Sequence, residues 1–384
     1  MKFIVIIIFN NAERKHPVFF VDLPSKNVSL TIGGLLPGQK THLHRHTYET
    51  VLYVIEGKGW TKVEDEIVEW EAGDAVYIPS WAWHQHQNTS DTESAKYIAW
   101  IIAYPVTPFD DNEVVDIPLF KKQVERLVAA GSHGIAPLGS TGVLPYLNDA
   151  EKEAIAEATM KQVSGRVPTL VGVSNLTTEK TIYHAQFAEK AGATAVMIIP
   201  MSYWKLTDDE IVRHYDAVAS KISIPIMAYN NPATGGVDMS PTLLKRLLEI
   251  PNVTMIKEST GDIQRMHYLR KELGEEVAFF NGSNPLALAA FTAGAAGWCT
   301  AAPNLIPELN IALYEAIQVN NLEKARKLFY QQVDLLKFIV AKGLPRSIKA
   351  GLDILGIGGG GFKSPLGPLS DHDIATLETI LASV

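Results

Sequence analysis

Lys257 directly follows the apolar run 253–256, where a lysine is costly unless it has a partner or a reaction to perform. Apolar walls lower an amine's pKa, and a neutral amine can attack a carbonyl carbon to form a Schiff base. Tyr229 ends another apolar run, 224–229, and a phenol beside such an amine can carry protons. Gly139-Ser140-Thr141-Gly142 offers a turn whose backbone N–H groups could hold a carboxylate. The plainer alternative pairs Lys257 with its neighbour Glu258 and leaves Tyr229 as packing. A second constellation is made of imidazoles. His42, His44 and His46 alternate along one segment, and His84 and His86 along another. Residues i and i+2 share a face of a strand, so two from the first segment and His84 from the second could hold a divalent metal.

The elements that must position these groups differ between the two parts of the chain. Residues 1–100 hold five of the seven Trp and six of the eleven His. Short runs there (28–32, 50–55, 60–63 and 75–78) are separated by Pro37-Gly38, Gly57-Lys58-Gly59 and Ala72-Gly73-Asp74, which predicts a small all-β sandwich or barrel. Later, eight apolar runs alternate with amphipathic stretches: 97–104, 134–138, 169–173, 195–199, 224–229, 253–256, 277–280 and 297–300. Asp116 and Ser240, each shortly before a proline, mark helix starts for 119–130 and 242–248, and Gly131, Gly192 and Gly274 mark stops. Eight such units predict an α/β fold, a (β/α)8 TIM barrel with extra C-terminal helices. No GxGxxG follows the first of these strands, which argues against a doubly wound dinucleotide-binding sheet. The expected division is 1–98 and 99–384.

The stretch 99–384 resembles the family of dihydrodipicolinate synthase and N-acetylneuraminate lyase. The landmarks are Pro105-Val-Thr107-Pro-Phe, Gly139-Ser-Thr-Gly142, Tyr229-Asn-x-Pro232 and Ile256-Lys257-Glu258-Ser-Thr-Gly261, in order and at strand ends. The resemblance implies that Lys257 forms the imine with pyruvate or another 2-oxo acid. It also implies that Tyr229 relays protons, and that Ser140 and Thr141, flanked by Gly139 and Gly142, bind the carboxylate and join the relay. No cofactor is expected in the barrel beyond the lysine imine. A further tyrosine of the family reaches in from a neighbouring subunit. Tyr203 is its nearest candidate, which implies a homo-oligomer, a dimer or tetramer. Two departures bear on substrate. Thr234 stands where the synthase carries an arginine for a second carboxylate, and Val143 stands in place of a glutamate. Loss of the carboxylate clamp points to a hydroxylated 2-oxo acid such as a deoxy sugar acid, undergoing aldol cleavage or dehydration. True 4-hydroxy-tetrahydrodipicolinate synthase activity is the alternative.

Residues 1–98 resemble a cupin. Gly38-x5-His44-x-His46 with Gly57 matches the first cupin motif, and Gly73-x5-Pro79-x4-His84-x3-Asn88 the second. The resemblance implies iron, manganese or zinc on His44, His46 and His84, with Asn88 or water nearby. The usual cupin glutamate falls at Thr50, and Glu49 lies one residue early, on the opposite strand face. The wording around the histidines is similar to gentisate-type ring-cleaving dioxygenases with ferrous iron, which carry two cupin units where this chain has one. The cupin is therefore expected as an accessory metal-binding module, with a dioxygenase or a ligand-sensing or dimerising module as alternatives.

Composition narrows the classes further. Apolar residues make up 47% and charged residues 20%, which excludes a disordered chain. The net charge of −8 divides as −3 for residues 1–98 and −5 for the rest, so no basic stripe suggests nucleic acid. One cysteine, Cys299, excludes a disulfide framework and fits a reducing compartment. The apolar run 3–9 is too short to span a bilayer, and a cytoplasmic protein with no membrane partner is expected.

Overall fold

The structure, a computed structural model, describes residues 100–274 and 277–384, and within the N-terminal part residues 6–10, 17–21, 30–33, 50–53, 58–71, 75–78 and 83–88. The chain divides into two compact units, Met1–Ile98 and Ala99–Val384.

The second unit is built on eight parallel strands: β1 (Trp100–Ala103), β2 (Gly134–Ile135), β3 (Leu170–Gly172), β4 (Ala195–Ile198), β5 (Ile226–Asn230), β6 (Val253–Glu258), β7 (Ala278–Asn281) and β8 (Gly297–Thr300). They pair in the order β2-β1-β8-β7-β6-β5-β4-β3, and a parallel bridge from Ile135 to Thr169 closes the ring. A helix follows each strand, and Leu322–Lys342, Leu344–Ile354 and Asp371–Ala382 complete the C-terminal part. This is the predicted TIM barrel with extra helices.

The helix ends follow from local chemistry. Asp116 accepts from the Leu119 N–H at 2.9 Å and starts Ile117–Ala129, while Ser240 accepts from Leu243 N–H at 3.1 Å and starts Pro241–Leu248. Each satisfies an N–H that the first helical turn leaves without a partner. Gly131, with φ of 89°, ends the first of these helices in the left-handed region that glycine enters without steric cost. Two strands differ from expectation. Pro137, which has no N–H for a ladder, follows the short β2, whereas β6 runs on through Lys257 and Glu258.

That extension matters because successive strand residues face opposite sides. Met197, Met227, Tyr229, Met255 and Phe280 pack in the cluster that fills the barrel. Val196, Ile226, Ala228, Ile256 and Phe279 pack with the larger cluster under the helices. Lys257 therefore shares the inner side with Met255, and Glu258 the outer side with Ile256.

In the first unit, the described strands pair antiparallel. Ile6–Asn10, Pro17–Val21 and Leu30–Gly33 form one sheet, Thr50–Tyr53 pairs with Ala75–Ile78, and Lys58–Val63 lies between Glu66–Glu71 and His84–Asn88. Among the described residues, no helix is long and apolar enough to cross a membrane.

Gly172 shows how tightly the barrel mouth is packed. A Cβ there would lie 1.9 Å from the Leu138 carbonyl oxygen, on the backbone that enters the 139–142 turn. We expect Gly172→Ala to cost about 3 kcal/mol of stability. A urea midpoint equal to wild type would contradict this packing.

Candidate active site

β5 and β6 are adjacent, and their register sets Tyr229 directly beside Lys257. The Lys257 amine lies 4.0 Å from the centroid of the Tyr229 ring and 4.0 Å from that of Tyr104, which follows β1. Lys257 is only 5% exposed. Two aromatic faces attract a cation in this position without neutralising it.

Glu258 does not pair with Lys257. It is fully buried on the other side of β6, where it accepts from Asn230 Nδ2 at 3.0 Å and from the Thr260 N–H at 2.7 Å. Arg265 Nε stands 3.5 Å from the same carboxylate, and its Nη1 is 2.9 Å from Asp238. Among the described residues no carboxylate forms an ion pair with Lys257.

The two flanking phenols are tuned in opposite directions. Burial pushes Tyr104 well above the usual phenol range, and the neighbouring Cys299 adds to the shift. Burial also works against ionisation of Tyr229, but the Lys257 charge, the Asn231 hydrogen bond and the neighbouring Ser140 and Ser259 hydroxyls outweigh it and bring that phenol below its ordinary value. Asn231 Nδ2 donates to Tyr229 Oη at 2.7 Å. Tyr104 Oη donates to Met197 Sδ at 3.1 Å. Burial pushes the Cys299 thiol up to about 11, with Lys257 and Tyr104 working in the opposite direction.

The turn at 139–142 lies between Leu138 and Val143, which both adopt positive φ, 59° and 52°. A β-branched residue in that region is strained and persists only where its surroundings hold it. Thr107 supplies one restraint, donating from Oγ1 to the Gly142 carbonyl at 2.8 Å. Among the described residues, the backbone N–H groups of Gly139, Ser140, Thr141 and Gly142 donate to no protein acceptor. Gly139 must be glycine, since a Cβ would lie 2.5 Å from the Tyr104 ring. The strand ends thus bring an enclosed amine, a lowered phenol and free N–H donors to one end of the barrel.

Residues 98–384 match the model of the dihydrodipicolinate synthetase family. The chain belongs to this family. Members of the dihydrodipicolinate synthetase family are lyases. A 4-hydroxy-tetrahydrodipicolinate synthase of Methanospirillum hungatei is 30% identical over 280 residues, covering 72% of this chain and 96% of that protein. A solved structure named a "putative dihydrodipicolinate synthetase" from Pseudomonas aeruginosa is 52% identical, with a TM-score of 0.73, over 74% of this chain and 99% of its own. A prophage protein of this family from Escherichia coli K12, solved in complex with pyruvate, is 26% identical with a TM-score of 0.70, over 74% of this chain and 97% of that one. Residues 32–101 match a cupin domain model.

The sequence candidates divide accordingly. Lys257, Tyr229 and Ser140 come together, and Thr141 is buried in the adjoining turn. Thr234 is exposed on the short helix Pro232–Gly235 after β5. Tyr203 is 91% exposed, its ring edge-on to Trp204, and it does not join the Lys257 cluster of its own chain. His44, His46, Glu49 and the side chains of His84 and Asn88 lie outside the described residues. Among the described residues, no three His, Cys, Asp or Glu side chains converge as a metal site would require. His86 is buried, with Nδ1 2.9 Å from Thr61 Oγ1.

Tyr104, Asn231 and Gly282 belong to the site but were not singled out from sequence. Tyr104 immediately precedes the Pro105 landmark and Asn231 fills the variable position of Tyr-Asn-x-Pro, so both signals were within reach. Gly282 could not be read without the fold. A Cβ there would lie 1.8 Å from Ser259 Oγ and 2.7 Å from Lys257 Cε. We expect Gly282→Ala to displace the amine and slow borohydride trapping with pyruvate about tenfold or more, while the chain still folds. Trapping at the wild-type rate would show that Lys257 does not need this clearance.

Proposed function

We propose that the barrel is a Schiff-base lyase acting on 2-oxo acids, with Lys257 as the nucleophile. The observation that carries this reading is the Lys257 amine, buried between two aromatic rings with no carboxylate partner among the described residues. The neutral amine adds to the C2 carbonyl and loses water to give an imine, whose protonated form draws electrons from the adjacent bond. Ser140, Thr141 and the N–H groups from Gly139 to Gly142 hold the substrate carboxylate, and Tyr229 moves the proton. The pyruvate complex of the Escherichia coli relative supports this substrate class.

Within that class, Thr234 favours a hydroxylated 2-oxo acid. A threonine supplies no positive fork for a second carboxylate. Arg265 does not replace it, since Asp238, Glu258 and the Met239 carbonyl already engage its guanidinium. Against this stands the name of the Methanospirillum relative, which favours condensation of pyruvate with aspartate semialdehyde. Exposed Tyr203 and Trp204 support a homo-oligomer in which an aromatic side chain meets a second copy. For residues 1–98, the histidine spacing supports one divalent ion on His44, His46 and His84, with iron, manganese and zinc all compatible with imidazole.

Pyruvate with borohydride should add mass to the wild type, and Lys257→Ala should abolish the adduct. Lys257→Arg should not restore it, because a guanidinium is not an amine nucleophile. An undiminished adduct in Lys257→Ala sinks the assignment. In a kcat/KM comparison, 2-keto-3-deoxy sugar acids should outperform aspartate semialdehyde condensation, the missing clamp costing the latter about 2–4 kcal/mol. A tenfold preference for condensation would make the chain a synthase in the strict sense. Metal content of purified protein should fall in the double variant His44→Ala, His84→Ala; retention of the ion would refute those ligands.

A further inference from the structure

Asn231 occupies a position that reads as a helix cap. It precedes Pro232, the first residue of Pro232–Gly235, and asparagine before proline is a common helix start. Its side chain nevertheless caps nothing. The backbone carbonyl of Asn231 serves the turn, accepting from Gly235 N–H at 2.8 Å and Thr234 N–H at 3.2 Å. The amide is turned away from the helix, and its Nδ2 donates to Tyr229 Oη at 2.7 Å.

We propose that Asn231 is a positioning residue for proton transfer, holding the Tyr229 oxygen so that the phenol proton points away from the amide. The inference rests on the Schiff-base reading above. An amide nitrogen can only donate, whereas a phenol carries one proton and accepts through its lone pairs. With Nδ2 occupying an acceptor side of Oη, the phenol proton must point elsewhere.

Tyr104 supplies an internal comparison. Both tyrosines are buried with their ring centroids 4.0 Å from the Lys257 amine, yet the lysine charge acts to lower the Tyr229 phenol and not that of Tyr104. Tyr104 has a thioether acceptor in Met197 and the Cys299 thiol beside it, and its phenol is pushed up. Tyr229 has the lysine charge and then an amide donor acting on it, and its phenol is brought down. Lys257 and Tyr104 are the titratable groups facing Tyr229, and Cys299 adjoins them. One tyrosine is thereby set as a fixed wall and the other as the proton carrier. The donor comes from the same chain, so this part of the relay is complete without a second subunit.

Pyruvate is a sufficient probe, because an enamine on Lys257 exchanges the pyruvate methyl protons with solvent. The full-length wild type, Asn231→Val and Asn231→Asp are compared in two assays, with thermal melts as a folding check. Borohydride adduct at equilibrium should stay within about twofold of wild type in both variants. Deuterium exchange into the methyl group, followed by NMR, should fall about tenfold or more. The apparent pKa of the Tyr229-dependent limb should move upward, since removing a donor disfavours the phenolate. Asn231→Asp keeps the shape but replaces the donor with an acceptor, so it should be impaired as well, and it decides the matter if the valine variant does not fold. Wild-type exchange and an unmoved limb in the folded variants, with the adduct intact, would overturn this inference alone. No adduct on the wild type would overturn the Schiff-base reading and this inference with it.

Discussion

The site depends on keeping one amine enclosed and unpaired. A buried lysine normally finds a carboxylate or loses its charge, because the cost of an uncompensated charge in the interior is several kcal/mol. Lys257 has Glu258 next to it in sequence, yet the alternation of β6 sends the two side chains to opposite sides of the sheet. Asn230, Thr260 and Arg265 then hold the carboxylate under the helices. Among the described residues, the amine lies against the ring faces of Tyr104 and Tyr229 rather than against a carboxylate.

Several other features follow from that requirement. The inner side of β6 needs glycine at 282 so that the Lys257 stem has room, and the turn at 139 needs glycine so that Tyr104 can close the other side. The strained residues Leu138 and Val143 bracket four N–H groups that donate to no acceptor among the described residues, a donor set suited to an anion. The lysine, phenol and turn sit on separate strands, so the closed barrel fixes their distances more firmly than a single loop could.

The barrel was legible because its signals are local and repeated. Asp116 and Ser240 each sit before a proline and cap helices by the expected bonds, and the eight apolar runs correspond to eight strands. Lys257 and Tyr229 were legible because an ionisable group at the end of an apolar run is conspicuous. The side to which each points was harder, since it turns on whether β6 includes residues 257 and 258. Asn231 was not singled out: an asparagine before a proline has the type of a helix cap, and only the fold shows that its amide donates to the phenol instead. Gly282 carries no sequence signal, because its constraint is a clash with residues more than 20 positions away. In the first unit the alternating runs became antiparallel pairs such as Thr50–Tyr53 with Ala75–Ile78.

The most direct measurement is a crystal structure of the borohydride-fixed pyruvate adduct of the full chain. The account predicts a continuous bond from Lys257 Nζ to pyruvate C2, the carboxylate against the Gly139–Gly142 N–H groups, and Tyr229 Oη facing the reduced carbon. An adduct on any other lysine, or a carboxylate bound away from that turn, would contradict it.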